Sequence, residues 1–576
     1  MKKFLIGVAS GLLLAGLTVF IGLFVLIRLS DSKPALTEGT TLVARIEGPV
    51  LERPAMEFPL PFLEEQKPLT TYEIWSSLKK AAVDSRIKAA VLMPRAVMAG
   101  WGQLEEIRGA LAEFKKSGKP LFVYLRFPTT RDYYLATAAD KIHLTPEDYV
   151  YMKGLRMEMT FFRKTFDKIG VSFEVQHAGK YKDYGDMFTR SDMSQESREA
   201  LNSILDRMYD HLCGTIASGR KMTPEQVKAA LDEGPFLAEQ AKKHGLVDEL
   251  VYNDQFFDLV KRRLGQTELK RISLRDYTRV TVPATEGKSR IALLVGAGDI
   301  LRIGLDSPFS GDSGITPAGM IKSLRQVGAD KSIKGVVLRV DSPGGDAIAS
   351  DEILREVKLL SGKKPVVVSM GDVAASGGYY IAMSGDAVVA YPNTITGSIG
   401  VVSARPNLKG LYDKLGITKD SLSRGKNANL DSDYFPVTEA ARKKYQEEVD
   451  TFYRTFLKVV AGGRKRKVEQ IEPLAQGRVW LGSQAKEQGL VDELGGLDKA
   501  VELVKKKANI PAGEKVKLVV YPQRRSFFDQ LMSKPSEGSL EVALRARLKE
   551  ALGGIDLSVL EQSGILYTMP IRLDFK

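Results

Sequence analysis

Cysteine is almost absent: Cys213 stands alone in 576 residues. No intrachain disulfide can form, and no cysteine-based metal site can be built. An oxidising compartment is still open. Histidine is nearly as scarce, with only His143, His177, His211 and His244. All four lie in the first half of the chain, which limits where a histidine base could act. Charge of one sign is not concentrated either. Lys plus Arg number 84 against 71 Asp plus Glu, a net +13. No basic cluster is interleaved with aromatics, so nucleic-acid binding is not expected. A weak attraction to anionic lipid is compatible with the balance. At 44% apolar and 27% charged residues, the composition is that of a globular protein. The length exceeds what one core supports and fits two or three domains.

One long hydrophobic run exists. Phe4 to Ile27 carries no charge, after Lys2 and Lys3 and before Arg28. At about 1.5 Å per residue it can span the roughly 30 Å of a bilayer's hydrocarbon. A cleavable signal peptide has a shorter apolar core, of about 7–15 residues. No clean Ala-x-Ala site follows. The expectation is an uncleaved anchor over residues 1–29 and a linker over 30–40. Lys2 and Lys3 would stay cytoplasmic and the bulk of the chain would lie across the membrane.

Beyond the linker, strand and helix patterns alternate. Thr41 to Val50, Ile87 to Met93 and Pro120 to Leu125 read as strands, and Lys141 to Pro146 as a short one. Tyr72 to Val83, Leu104 to Gly118 and Asp132 to Asp140 read as helices. This is parallel α/β organisation. The second half repeats it. Lys88 and Lys334, Tyr133 and Tyr379, Gly170 and Gly416, and Gly179 and Gly425 are each separated by 246 residues, and the two copies of GLVDEL, at Gly245 and Gly489, by 244. The fold class is therefore α/β with two tandem repeats, expected over residues 41–285 and 286–510. A C-terminal extension, 511–576, carries a basic-aromatic stretch (Gln523 to Ser533) and a helical one (Leu540 to Gly554). The basic-aromatic stretch could touch the membrane rim or a neighbouring subunit; simple C-terminal packing is the favoured reading.

The repeats differ where chemistry would sit. After the strand PVVVSM comes GDVAASGGYY, with Ser376 among small residues. A serine there can stand exposed at a helix start, with the N–H of Gly377 facing a reacting carbonyl. The first repeat has Thr130, Arg131 and Asp132 at the places of Ser376, Gly377 and Gly378. DSPGGD (Asp341 to Asp346), whose Gly344-Gly345 pair permits close backbone approach, falls on RAVMAG (Arg95 to Gly100). TGSIG (Thr396 to Gly400) holds Ser398, and Met152 occupies that place in repeat one. Conversely Lys182, in GKYKD, becomes Ala428 in repeat two. A serine kept in one repeat and a lysine kept in the other point to one composite site. A serine nucleophile needs a base. His177 is a candidate. Lys182 is the alternative, if burial lowers its pKa from about 10.4 toward neutrality.

DSPGG, AASGGYY and TGSIG, with GKYKD upstream in a duplicated chain, resemble the long, two-repeat form of the signal peptide peptidase A family (protease IV, peptidase family S49). The resemblance runs from the N-terminal segment to about Asn509. It implies a fold like the Clp protease and crotonase families and a membrane-anchored serine endopeptidase with a Ser/Lys dyad. Ser376 would be the nucleophile, Lys182 the general base, Ser398 the residue positioning the lysine, and Gly345 and Gly377 the oxyanion donors. It implies no metal or other cofactor. It further implies a homotetramer on the outer face of the bacterial inner membrane, cleaving signal peptides and other apolar peptides. Two other readings stand beside it: a crotonase-like acyl-CoA enzyme and a non-catalytic membrane scaffold.

Overall fold

The computed structural model describes residues 36–54, 67–285, 287–302, 314–522 and 566–569, together with Gly11, Leu14 and Thr18. Among the described residues no helix is long and apolar enough to cross a membrane. The anchor expected over Phe4 to Ile27 lies outside them apart from those three positions. The stretches Gln523 to Ser533 and Leu540 to Gly554 lie outside them entirely.

The first repeat builds a parallel sheet from β1 (Thr40–Pro49), β2 (Ile87–Met98), β3 (Leu121–Leu125) and β4 (Ile142–Leu144). Helices α1 (Thr71–Val83), α2 (Trp101–Lys116) and α3 (Thr130–Ala136) connect them. Farther along come β5 (Ser172–Ala178), the long α4 (Gln195–Arg220), β6 (Glu249–Leu250) and β7 (Arg271–Ser273). The strand order is β6-β4-β3-β2-β1-β7. Ala89, Ala90, Val91 and Leu92 are wholly buried, as expected of a parallel strand covered on both faces.

The second repeat contains β8 (Ser289–Ala297), α5 (Pro317–Ala329), β9 (Ile333–Ser342), β10 (Gly344–Asp346), α6 (Ala347–Ser361), β11 (Val366–Ala375) and α7 (Gly377–Ala382). Then follow β12 (Ala387–Ala390), β13 (Ile395–Gly397), β14 (Val401–Asn407), α8 (Glu439–Arg464), β15 (Val479–Leu481), β16 (Glu493–Leu494) and β17 (Val516–Tyr521). Its parallel order, β16-β12-β11-β9-β8-β17, is that of the first sheet strand for strand. The duplication reaches local detail. Both α4 and α8 begin at a hydroxyl N-cap, Ser194 and Thr438, and end at a left-handed lysine, Lys221 and Lys465. The boundary expected at residue 510 therefore moves. β17 lies beyond it, yet pairs with β8 as β7 pairs with β1.

A further short strand, β18 (Leu566–Thr568), closes a four-stranded sheet of order β10-β18-β14-β5. That sheet joins the repeats: β14 of the second pairs antiparallel with β5 of the first over seven positions, Val401 opposite Ala178 through Asn407 opposite Ser172.

A second junction lies under the sheets. Arg339, 1% exposed, donates from Nε and Nη2 to the two oxygens of Glu52 at 3.0 and 2.9 Å. The backbone N–H of Gln103 donates to Asp372 Oδ1 at 2.8 Å. Burial pushes the Glu52 carboxyl up, but the Arg339 charge and hydrogen bonds outweigh it and hold the group below its ordinary value. Asp372 is pushed up to about 6, chiefly by burial. Removing one partner from such a pair leaves an uncompensated buried charge. Glu52→Ala is expected to cost about 3–5 kcal/mol and to lower the thermal unfolding midpoint. Glu52→Gln, which keeps hydrogen bonds to Arg339, should lose less.

Candidate active site

Ser376 ends β11 and begins α7. Its backbone sits at φ 53°, ψ −114°, a strained conformation for a residue with a side chain. Two backbone bonds hold it there. Its N–H donates to the Gly397 carbonyl at 2.8 Å, and its carbonyl accepts from the Tyr380 N–H at 2.8 Å. Ala374 and Ala375 are fully buried against the neighbouring strands, which explains the small residues around the serine. The side chain of Ser376 is buried as well.

The lysine arrives from the first repeat on the loop after β5. Gly179 (φ 107°) turns the chain, and the Lys182 N–H closes back onto the Gly179 carbonyl at 3.1 Å. The Tyr181 N–H donates to the Gln476 carbonyl at 2.8 Å. Lys182 is 1% exposed. Its Nζ lies 2.8 Å from Ser376 Oγ and 3.0 Å from both Ser398 Oγ and the Ser398 carbonyl oxygen, so that a neutral amine donates its two N–H groups to Ser398 and accepts the Ser376 hydroxyl. Burial drives the amine well below the usual lysine range, against a small upward pull from Asp183. Asp183 is itself pushed up to about 7, first by burial and then by Asp186. The pair is therefore poised toward neutrality, and Ser197 donates to Asp183 Oδ2. A neutral amine at hydrogen-bond distance from a hydroxyl can take its proton.

Ser398 is also held at positive φ (50°), by its N–H donating to the Arg478 carbonyl at 2.7 Å. Gly344 (φ 107°) and Gly345 (φ 149°) form the other wall. The Gly344 carbonyl accepts from the Ile300 N–H at 2.8 Å, and a Cβ on Gly345 would stand 2.0 Å from the Ile300 carbonyl oxygen. Gly377, at the first position of α7, has one of the N–H groups a helix start leaves without an intrahelical partner. The structure thus brings together Ser376, Lys182 and Ser398, with Gly377 next to the serine and Gly344, the neighbour of Gly345, against the Gly377 nitrogen. It keeps His177 apart: that residue is exposed on β5, its Nδ1 3.2 Å from the Gly179 carbonyl oxygen. The Lys182–Ser376 pair forms within one chain, a point that residue spacing left open.

Sequence reasoning missed the loop Gln476–Arg478. Gly477 (φ 77°) passes so close to the lysine that a Cβ there would stand 2.6 Å from the Cβ of Lys182. Arg478 donates to Glu199 at 2.7 Å and to the Tyr181 hydroxyl at 3.1 Å, bracing the lysine loop from below. The one signal was the glycine of AQGRV, which reads as an ordinary turn.

The same geometry gives meaning to the likeness with known proteins. A family model described as "Peptidase family S49" matches residues 113–267 and 358–511. "Serine protease SPPA, chloroplastic" of Arabidopsis thaliana is 36% identical, over 85% of this chain and 73% of its own length. "Protease 4" of Salmonella typhi is 31% identical over 93% of this chain and 88% of its own. Among solved structures, a mutant ClpP1 from Listeria monocytogenes covers 36% of this chain and 94% of its own at 16% identity. Its TM-score is 0.25, too low to carry an argument.

Gly477→Ala tests the contact between the loops. Hydrolysis of a peptide ester should fall by about tenfold or more, because a displaced Lys182 amine loses its alignment with the Ser376 hydroxyl. The loss should appear in kcat. A second expectation concerns Lys182→Met. The unfolded chain holds a lysine proton that the buried amine gives up, so wild-type stability rises with pH below about 10.4. The thermal midpoint of the wild type should therefore climb relative to that of Lys182→Met between pH 7 and pH 10. A constant difference would contradict the buried neutral amine.

Proposed function

This chain belongs to peptidase family S49 and is a serine peptidase, and on that premise we propose that it works through a Ser/Lys dyad assembled across its two repeats. Ser376 is the nucleophile and Lys182 the general base. The observation that carries this reading is the 2.8 Å hydrogen bond between a fully buried lysine amine and the serine hydroxyl. Lys182 takes the Ser376 proton as Oγ attacks the scissile carbonyl, then returns it to the departing amine. Ser398 orients the lysine by accepting two of its three hydrogen bonds. The N–H groups of Gly345 and Gly377 receive the oxyanion. The Gly-rich loops and the dyad geometry favour this reading over an acyl-CoA enzyme and over an inert scaffold.

The substrates we propose are signal peptides and other apolar peptides. The protein is held at the inner membrane by residues 4–27, with its catalytic part on the periplasmic side. Assembly into a ring follows from the duplication. β5 of repeat one is paired with β14 of repeat two, so each has a counterpart at a separation of 246 residues: 418–424 and 155–161. In 155–161, half-buried Leu155, Met157 and Met159 alternate with exposed Arg156, Glu158 and Thr160, the period of a strand. Residues 418–424 are exposed throughout, Leu422 at 96%. Pairing one copy's 155–161 with the next copy's 418–424 is head-to-tail, a contact that makes a ring when the rotation between copies closes. A tetramer is the expected size.

Ser376→Ala and Lys182→Ala should each reduce peptide-ester hydrolysis by at least about a thousandfold. His177→Ala should retain it. The wild-type rate should rise with pH through one deprotonation that falls well below the ordinary lysine range. A limb lost in His177→Ala but kept in Lys182→Ala would reverse the assignment of the base. For assembly, Leu422→Pro should convert a tetramer to smaller species by sedimentation velocity; an unchanged mass would refute the pairing.

A further inference from the structure

The edge where the parallel strands begin is basic, and it is basic at matching places in both repeats. In the first repeat Lys88 follows Ile87, which stands opposite Thr40, and Arg271 stands opposite Thr41. In the second, Lys334 follows Ile333, opposite Arg290, and Lys517 stands opposite the same Arg290. Lys88 and Lys334, and Arg271 and Lys517, are each separated by 246 residues. The helix leading to the last strand ends alike in both. Asn253–Arg263 closes on Lys261, Arg262 and Arg263, and Leu497–Lys507 on Lys505, Lys506 and Lys507. Lys261 and Lys505 are half-buried and the others of the two trios are exposed. Among the described residues beside them, Asp258 is paired with Lys261 at 2.8 Å, and Glu38, Glu268, Asp330 and Glu514 are outnumbered. Like charges gathered on one edge repel one another. An anionic surface laid against them removes that cost.

The chain enters the first sheet at this same edge. Just before β1, the Gly39 carbonyl accepts from Gln266 Nε2 at 2.6 Å and the Glu38 carbonyl from Lys270 Nζ at 3.5 Å. The stretch 28–36, which follows the apolar run, reaches about 30 Å at most. The basic edge of the first sheet is therefore tethered close to whatever holds residues 4–27. Ser376 lies at the other edge, where β11 ends.

We propose that the strand-start edges of both sheets rest on an anionic phospholipid surface, with Arg262, Arg263 and Arg271 of the first repeat and Lys506, Lys507 and Lys517 of the second against its phosphates. This rests on reading residues 4–27 as the membrane anchor and adds to it the posture of the protein on the bilayer. The sheets then stand on end. The ten residues of β11 rise roughly 33 Å, and Ser376 is held about that far from the lipid. A peptide in the bilayer must leave it before it can be cut.

The test sets the full chain in lipid nanodiscs that carry a quencher on their headgroups. Cys213 is buried, so one introduced cysteine carries the only dye. In discs of about one-third phosphatidylglycerol, a dye at Ala512→Cys, in the exposed turn before β17, should be quenched. A dye at Lys153→Cys should not be, because that residue is exposed beside Thr130, at the opposite edge of the first sheet. Quenching at 512 should fall at least about threefold in phosphatidylcholine discs, and likewise in about 1 M salt, where the screening length is about 3 Å. Lys506→Gln, Lys507→Gln and Lys517→Gln combined should lower it as far while leaving peptide-ester hydrolysis in detergent unchanged, which shows that the variant is folded. Equal quenching in charged and neutral discs, or none at 512 in charged ones, overturns the proposal and leaves the anchor standing. A chain that does not enter the discs overturns the anchor, and this proposal with it.

Discussion

Everything in this molecule converges on a lysine amine that has lost its water. Lys182 touches Ser376 and Ser398 and is almost wholly enclosed. An isolated buried ammonium is costly enough that the group gives up its proton instead. The neutral amine therefore exists only where both repeats close around it. The carrier loop belongs to the first repeat, and every atom it bonds through Nζ belongs to the second. The seven-position pairing of β5 with β14 sets that loop's approach. The buried Arg339–Glu52 pair fixes the same two bodies from beneath. A site divided in this way is only as precise as the junction that assembles it.

Much of this could be read in the sequence, because a duplication lets a chain be compared with itself. The constant spacing located the repeats, and the positions that break the likeness, Ser376 against Thr130 and Lys182 against Ala428, marked the chemistry. Hydrophobic runs located β2, β3 and β9 because their strands are buried on both faces. What escaped was whatever depends on contacts distant in the chain. β18 is three residues long, and nothing in LYT marks it as a strand until it meets Gly344–Asp346. β17 lies past a Pro and a Gly that read as an ending, although VKLVVY is as apolar as the strands before it. Gly477 is an ordinary turn glycine until Lys182 is placed beside it. The partnership of Asp183 with Ser197 on α4 likewise exists only in the folded chain.

The first repeat keeps the scaffold without the glycine loops. Where repeat two has Gly378, repeat one has Asp132, fully buried. Its carboxylate accepts the N–H groups of Ala96 and Val97 at 3.1 and 3.0 Å, and that of Thr129 at 2.8 Å. Ala96 and Val97 stand at the places of Ser342 and Pro343, in the loop that forms one wall of the cleft in repeat two. The chain's own anion thus satisfies backbone donors beside the position where a reacting oxyanion would lie. Buried donors left without a partner cost free energy, so a carboxylate in that gap stabilises the repeat. In repeat one that gap is thus filled from within, while Lys182, carried on the loop after β5, brings its amine to Ser376 of repeat two.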